Sequence, residues 1–399
     1  MEAVGARLDG VRARVGFAGA AASLVVVFAA SAAAIPLYEY YRRADGLTHA
    51  DLAMTAVAYF LAVIVALLVF GRVSDHVGRR PAALVALALA AAGTLVLTDV
   101  HSVLPLIAGR ALQGFGCGLA SSAIAAFVVD SAPRSPGWLG SVVTTASPMA
   151  GLTIGALGSG ALAEYGPAPR TLVYELLVVA LAVCAVLIVA SRETVARVPG
   201  LLASLRPRVA VPSRARPLLP VACSIFVATW AFGGFYQAFG PSVTADELGT
   251  ASPFVAAAVF ASFNAPAAVG AACAGRALPE TSQRAGMVVF VLAVIGALAS
   301  LSAGAVAGFL VASAVAGIAQ GAAFAASMRA LLSRATAAER AGLLSAIYLI
   351  SYSGAALPNF VAGQLSRSAS LFHVALGYGV LAAVACAITL AGTRRRSLA

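Results

Sequence analysis

Charged side chains are scarce enough in this chain to be weighed one at a time. Asp, Glu and Arg make up 10% of its 399 residues. A few stand inside or beside long apolar runs, where an ionisable group can take up, hold or pass on a proton. Arg110 is about two turns into the apolar run 103–129. An arginine at such a depth costs roughly 2.5–3.5 kcal/mol on insertion scales, so it should face a bundle interior or water. The competing reading is a side chain that snorkels to the interface. Gln113 follows one turn later on a nearby face. Glu39 closes the first apolar run, and Glu175 lies one turn into the sixth. Either can be an interfacial acid paired with Arg42, Arg43 or Arg170. Arg110 with Glu39 or Glu175 is the candidate proton-responsive set.

A second concentration of charge lies in Gly71-Arg-Val-Ser-Asp75-His-Val-Gly78-Arg79-Arg80-Pro81. This is a tight polar turn between two apolar runs. Gly71 and Gly78 permit close backbone approach or positive φ, and Pro81 suits the first turn of a helix. Asp75 among three arginines calls for an ion pair or a helix N-terminus.

The elements that must hold these groups follow from composition. The chain is 61% hydrophobic, with a mean hydropathy of +0.96. Soluble domains carry roughly 25% charged residues, so the lipid bilayer is the expected surrounding. Twelve segments are apolar enough to span it: 16–38, 52–70, 82–98, 103–129, 138–162, 171–190, 217–239, 253–274, 285–302, 306–331, 342–364 and 370–391. The positively charged start, Arg7 to Arg14, resembles a signal peptide. The apolar run that follows is long enough to stay as the first helix. The polar, Arg- and Pro-rich link 191–216 separates an N-terminal six-helix half (1–190) from a C-terminal one (217–399). All 26 basic residues are arginine, in a composition that suggests a GC-rich bacterial coding background. Placing both termini in the cytoplasm puts 21 arginines on that side and 4 on the other, which fixes the orientation. The net charge of +11 is then loop charge, not a nucleic-acid surface. The halves echo one another: Gly71-Arg72 ahead of Arg80 recurs as Gly275-Arg276 ahead of Arg284, and Gly151…Gly160 as Gly354…Gly363. Parallel repeats of this kind place a substrate site near the bilayer midplane. Five cysteines, spread through apolar runs, read as packing residues and not as a disulfide or metal site. No converging catalytic group or Gly-x-x-x-x-Gly-Lys-Ser/Thr loop appears, so neither an enzyme, a cofactor nor ATP use is expected.

The loop resembles the signature Gly-x-x-x-Asp-x-x-Gly-Arg-Arg/Lys between helices 2 and 3 of the major facilitator superfamily. Arg110-Ala-Leu-Gln113-Gly114-Phe-Gly116 is similar to that family's Arg-x-x-Gln-Gly-x-Gly motif. Gly151-Leu-Thr-Ile-Gly155-Ala156-Leu-Gly158-Ser159-Gly160 resembles the Gly-x-x-x-Gly-Pro-x-x-Gly-Gly of drug:proton antiporters, with Ala156 for Pro and Ser159 for Gly. The resemblance implies an all-α membrane protein, with twelve transmembrane helices in two pseudo-symmetric halves. It implies a gating charge network of Asp75 and Arg79 with Asp130, supported by Gly71, Gly78 and Arg80. The second copy has Pro279 in place of Asp75. The resemblance also implies that helices 1, 4, 7 and 10 line the path. The cavity candidates are therefore Tyr38, Gln113, Trp230, Tyr236 and Gln237, with Asn264, Gln320, Phe324, Tyr348 and Asn359 behind them. Tyr40 and Tyr41 fit an interfacial belt. The expected function is secondary active transport of a small organic solute, proton-coupled and outward, by a monomer in the bacterial cytoplasmic membrane. Proton-coupled uptake and a transport-inactive sensor are the alternatives.

Overall fold

A backbone inside hydrocarbon must close its own hydrogen bonds, and a helix does so within each segment. The computed structural model describes residues 2–133 and 135–397, with side chains for 15–133 and 135–393. Arg7, Arg12, Arg14, Arg134, Arg394, Arg395 and Arg396, which enter the charge asymmetry, lie outside the described side chains. All described elements are helical. The long ones, in chain order, are α1 (Val15–Asp45), α2 (His49–Phe70), α3 (Arg79–Asp99), α4 (Val103–Ser131), α5 (Leu139–Tyr165), α6 (Leu172–Ala190), α7 (Leu219–Asp246), α8 (Pro253–Ala274), α9 (Pro279–Ser302), α10 (Val306–Leu332), α11 (Arg340–Leu365) and α12 (Leu371–Thr393).

Eleven of these are long and apolar enough to cross a membrane. The other, α5, has the length, at 27 residues, but is rich in Gly, Ser and Thr. Its small residues serve packing. A Cβ on Gly151 would stand 2.4 Å from the Val25 carbonyl oxygen, and one on Gly155 2.2 Å from that of Ala29. The two glycines, one turn apart, let α5 lie directly on α1.

The chain folds into two compact units. One comprises Met1–Ala34 with Leu61–Pro207, the other Ile35–Phe60 with Arg208–Ala399. In the first, α1 packs on α5 and α6, and α3 on α4 and α6. In the second, α7 packs on α11 and α12, and α9 on α10 and α12, the same pattern moved on by six helices. The segment Ile35–Phe60 packs with the second unit, its first part against α7 and α8.

Three helices are interrupted. Pro36 has no N–H to donate, so α1 stops at Ala33, tightens over Ile35–Leu37 and resumes from Tyr38 to Asp45. The expected end at residue 38 is thus a kink inside a longer helix. In α8, Pro266 breaks the ladder after Asn264, whose Nδ2 donates to the Phe260 carbonyl (2.9 Å). In α4, Ala120–Ile124 forms a wide π-turn. Ser121 Oγ donates back to the Cys117 carbonyl (2.8 Å) and Ser122 Oγ to that of Leu119 (3.1 Å). Such back-bonding bends helices and satisfies carbonyls whose ladder bonds have shifted. Before α11, Thr336 gives its amide and its hydroxyl to Glu339, each at 2.9 Å. Both bonds hold this exposed carboxyl below the usual carboxylate range.

Candidate functional site

The turn between α2 and α3 is built around one glycine. Gly78 has φ +105°, a conformation costly for any residue with a Cβ. That backbone lets α3 begin at Arg79 after a single helical turn, Ser74–Val77. The Arg79 guanidinium donates from Nη1 to Asp75 Oδ1 (2.5 Å) and Ser74 Oγ (2.7 Å), and from Nε to Asp130 Oδ2 (2.9 Å). The three charges expected to form a network therefore meet at Arg79.

A fourth charge, the acid Glu193, joins them without having been anticipated. Its carboxylate accepts the amides of Arg79 (2.8 Å) and Arg80 (3.0 Å), capping the N-terminus of α3 where unpaired N–H groups favour an anion. It lies so close that a Cβ on Gly78 would come within 2.6 Å of its Oε2. Arg80 in turn donates to the carbonyls of Ile188 (3.2 Å) and Val189 at the end of α6. The link after α6 folds back on the same turn. Val198 N donates to His76 O (3.2 Å), and Arg72 Nη2 donates to the carbonyls of Ser204 (2.9 Å) and Arg206 (3.1 Å). Glu193 belongs to no motif. The only hint in the sequence is an acid at the point where the sixth apolar run meets the arginine-rich link.

The Arg110 motif serves the broken end of α1. Arg110 is 0% exposed, which rules out the snorkelling alternative. Its Nη1 donates to the Ser31 carbonyl and to Gln113 Oε1 (2.9 Å). Gln113 Nε2 donates to the Ala30 carbonyl (3.0 Å). From α5, Ser159 Oγ donates to the Ala33 carbonyl (2.5 Å). Three side chains thus cover carbonyls just ahead of the Pro36 kink. The serine that departs from the antiporter pattern supplies one of these bonds.

Beyond the kink, Glu39 is only 5% exposed. It accepts from Arg42 Nε and Nη2 (both 2.8 Å) and from Arg43 Nε (2.6 Å). Arg42 Nη2 also donates to Asp246 Oδ1 at the end of α7 (2.9 Å), and Asp246 Oδ2 lies 3.2 Å from His49 Nε2. Glu39 and Arg110, taken together as a proton-responsive set, fall in different compact units. Glu175 is exposed in the first turn of α6. Asp246 and His49 are the members of this cluster that the sequence did not single out.

The cavity candidates divide by burial. Tyr38 is buried and accepts from Thr55 Oγ1 (3.3 Å). Tyr236 is buried too, bonded to Ser313 Oγ (2.6 Å) and stacked on Phe263 at 4.6 Å. Asn359 joins α11 to α12, accepting from the Tyr378 hydroxyl (3.0 Å). All three are buried and hydrogen-bonded within the second unit. Trp230, Gln320 and Phe324 are half-buried, and Tyr348 is exposed. Trp230 meets Tyr352 edge-on at 4.5 Å and lies 6.0 Å from Phe324, while Phe60 and Tyr348 flank Tyr352 at 6.2 and 6.4 Å. This aromatic wall in the second unit includes two residues, Phe60 and Tyr352, that nothing in their apolar surroundings marks. Gln237 is 7% exposed, and its Nε2 has no hydrogen-bond partner among the described residues.

Comparison with known proteins agrees with this geometry. Multidrug resistance protein D of Escherichia coli (strain K12) is 44% identical over 62 residues, 16% of this chain and 16% of that protein. The chain thus aligns with about a sixth of that relative's length. Two solved structures share the fold across the chain. One is a bacterial homologue of the human lysosomal transporter Spinster, in an inward-facing and unoccupied conformation. It has a TM-score of 0.76 at 14% identity, covering 96% of this chain and 97% of that one. The other is an autoinhibited POT family peptide transporter, with a TM-score of 0.74 at 15% identity and the same coverage of both chains. The family model for the Major Facilitator Superfamily matches residues 20–357. With twelve long helices among the described residues, in two repeated sets of six, and the charged turn at Arg79 in place, the chain belongs to the Major Facilitator Superfamily of membrane transporters, and it is not an enzyme.

Proposed function

We propose that the protein is a proton-coupled exporter of a small organic solute, acting as a monomer in the bacterial cytoplasmic membrane with both termini in the cytoplasm. The observation that carries proton coupling is the buried carboxylate Glu39, held by Arg42, with Arg42 shared by Asp246 and Asp246 by His49. A proton on either acid removes an ion pair from Arg42 and so loosens the tie between the end of α1 and the end of α7. A carboxylate in that setting favours this role over the exposed Glu175. Arg110 then acts as a positioning residue that keeps the kinked end of α1 in register. The export direction draws on the likeness to multidrug resistance protein D. The half-buried wall of Trp230, Phe324 and Tyr352, with the Gln237 amide as a donor, suits a solute with an apolar face and one acceptor group.

The test is solute movement in proteoliposomes under an imposed pH gradient, screened over a panel of amphipathic compounds. Wild type should move at least one compound against its gradient. Glu39→Gln should keep downhill exchange while losing the pH-driven component. Unchanged pH-driven transport in Glu39→Gln would remove this cluster from the coupling. Inward accumulation driven by the same gradient would turn the assignment to uptake.

A further inference from the structure

Helices α11 and α12 are joined by the short turn 366–370, and each packs on α7, with the Tyr378–Asn359 hydrogen bond running between them. Between them lies a groove of about 630 Å³. One wall is α11 from Ile350 to Leu365, the other is α12 from His373 to Leu381, and Val227 of α7 closes the floor. Two glycines shape it. Gly354 brings α11 onto α7, where a Cβ would stand 2.7 Å from Val227 Cα. Gly377 leaves its side of α12 bare, with nothing within 4 Å of where a Cβ would be.

The lining is almost wholly aliphatic, and the Tyr378 hydroxyl points away to Asn359. Such a space offers water too few partners to stay. Left empty, it would forfeit the dispersion contacts of its walls. Hydrocarbon suits it. The α11 wall runs about 22 Å at 1.5 Å per residue, compared with about 30 Å for a whole hydrocarbon core, a length that fits one extended acyl chain. Apart from Ser353 on the α11 wall, polar chemistry gathers at the turn. His373 is exposed, with Nδ1 2.7 Å from Ser370 Oγ, and Arg367 is an exposed cation in the turn itself. The acid that touches this end, Glu247, is engaged by the Phe372 amide (3.0 Å). A cation in the turn that joins the two walls, and a hydroxyl bonded to the lining residue His373, complement a phosphate carrying a fatty chain.

We propose that the α11–α12 groove is a specific site for an anionic phospholipid, with one acyl chain lying along Gly377 and the phosphate at Arg367, Ser370 and His373.

The experiment is native mass spectrometry of the full chain, purified from mixed micelles holding equal phosphatidylglycerol and phosphatidylcholine. Wild type should retain one phosphatidylglycerol in preference to phosphatidylcholine by about fivefold, the order expected for one arginine near an anionic headgroup. Gly377→Phe, at a position where a Cβ has nothing within 4 Å, puts a ring into the groove and should release both lipids. Arg367→Gln should keep one lipid but abolish the preference. Retention of the same lipid in Gly377→Phe, or equal retention of the two lipids by wild type, would overturn the site. So would a dimer that Gly377→Phe dissociates, because a second copy would then be the occupant. If Gly377→Phe fails to fold, a phosphatidylglycerol with a photoreactive acyl chain decides on wild type. Adducts on α11 and α12 support the site, and adducts spread over other helices refute it.

Discussion

The turn between α2 and α3 and the turn between α8 and α9 are two editions of one design, and setting them side by side separates the bonds that are kept from those that are replaced. The scaffold bond survives. Arg80 reaches the end of α6 at Ile188 and Val189, and Arg284 reaches the end of α12 at Thr393 Oγ1 (2.6 Å), with both members shifted by about two hundred positions. The ion pair does not survive. Where Asp75 and Arg79 stand in the first turn, the second has Pro279 and Gln283, and Gln283 is buried and bonded to Ser327 on α10 (3.0 Å). The direction of donation is also reversed. In the first turn an arginine of the loop reaches an acid on α4. In the second, Arg329 of α10 reaches back to the carbonyls of Ala274, Gly275 and Ala277. Proline at the start of α9 begins that helix earlier than Gly78 allows α3 to begin, so no glycine kink is needed there. The first turn holds charges that can come apart. In the second, the arginines bond to neutral oxygens, which protonation of a carboxylate would not release.

That contrast is most severely tested at Gly78. Gly78→Val combines an unfavourable φ with displacement of Glu193. It should lower stability by roughly 2–3 kcal/mol and abolish transport. A thermal melt of the purified variant alongside a flux assay checks it, and a wild-type melt would dissolve the claimed difference between the turns. Asp75→Asn comes next. Flux should fall by about tenfold, within the usual range of conformational coupling, while membrane insertion and melting stay near wild type. Wild-type flux would leave the first turn as a topology signal only. Arg329→Gln should lower stability by about 1 kcal/mol through its lost carbonyl bonds, with flux little changed. A flux loss as large as that of Asp75→Asn would show that both turns switch. Smallest of all, Ser282→Gly, at the position matching Gly78, should cost no more than about 1 kcal/mol as a helix-interior glycine, read in the same melt.

Much of this was legible from sequence because it depends on local composition. Apolar runs mark the helices, and of the two readings open for an arginine within one of them, facing the interior or snorkelling, Arg110 takes the first. The spacing from Gly71 to Pro81 marked the turn, and Asp130 lay where its partner was expected. The rest depends on residues far apart in the chain. Glu193 gains its role only when the end of α6 is brought beside α3. Asp246 and His49 gain theirs only when the end of α7 meets the start of α2. Pro266 was a visible reason to break α8, yet hydropathy averaged over 253–274 concealed it. Ser159 read as a lapse from a pattern until the carbonyl of Ala33 stood opposite it.

The π-turn at Ala120–Ile124 has a consequence of angular phase. Arg110 and Asp130 both sit on α4, twenty positions apart. At about 100° per residue, an unbroken α-helix would set them about 200° apart, facing nearly opposite ways. One extra residue in a wide turn takes back about 100° of that rotation. A single inserted position thereby indexes the two working ends of α4, as a key indexes two wheels on one shaft. Arg110 addresses α1 and Asp130 addresses α3. Removing one residue from the wide turn would leave both side chains in the sequence and aim one of them at the wrong neighbour.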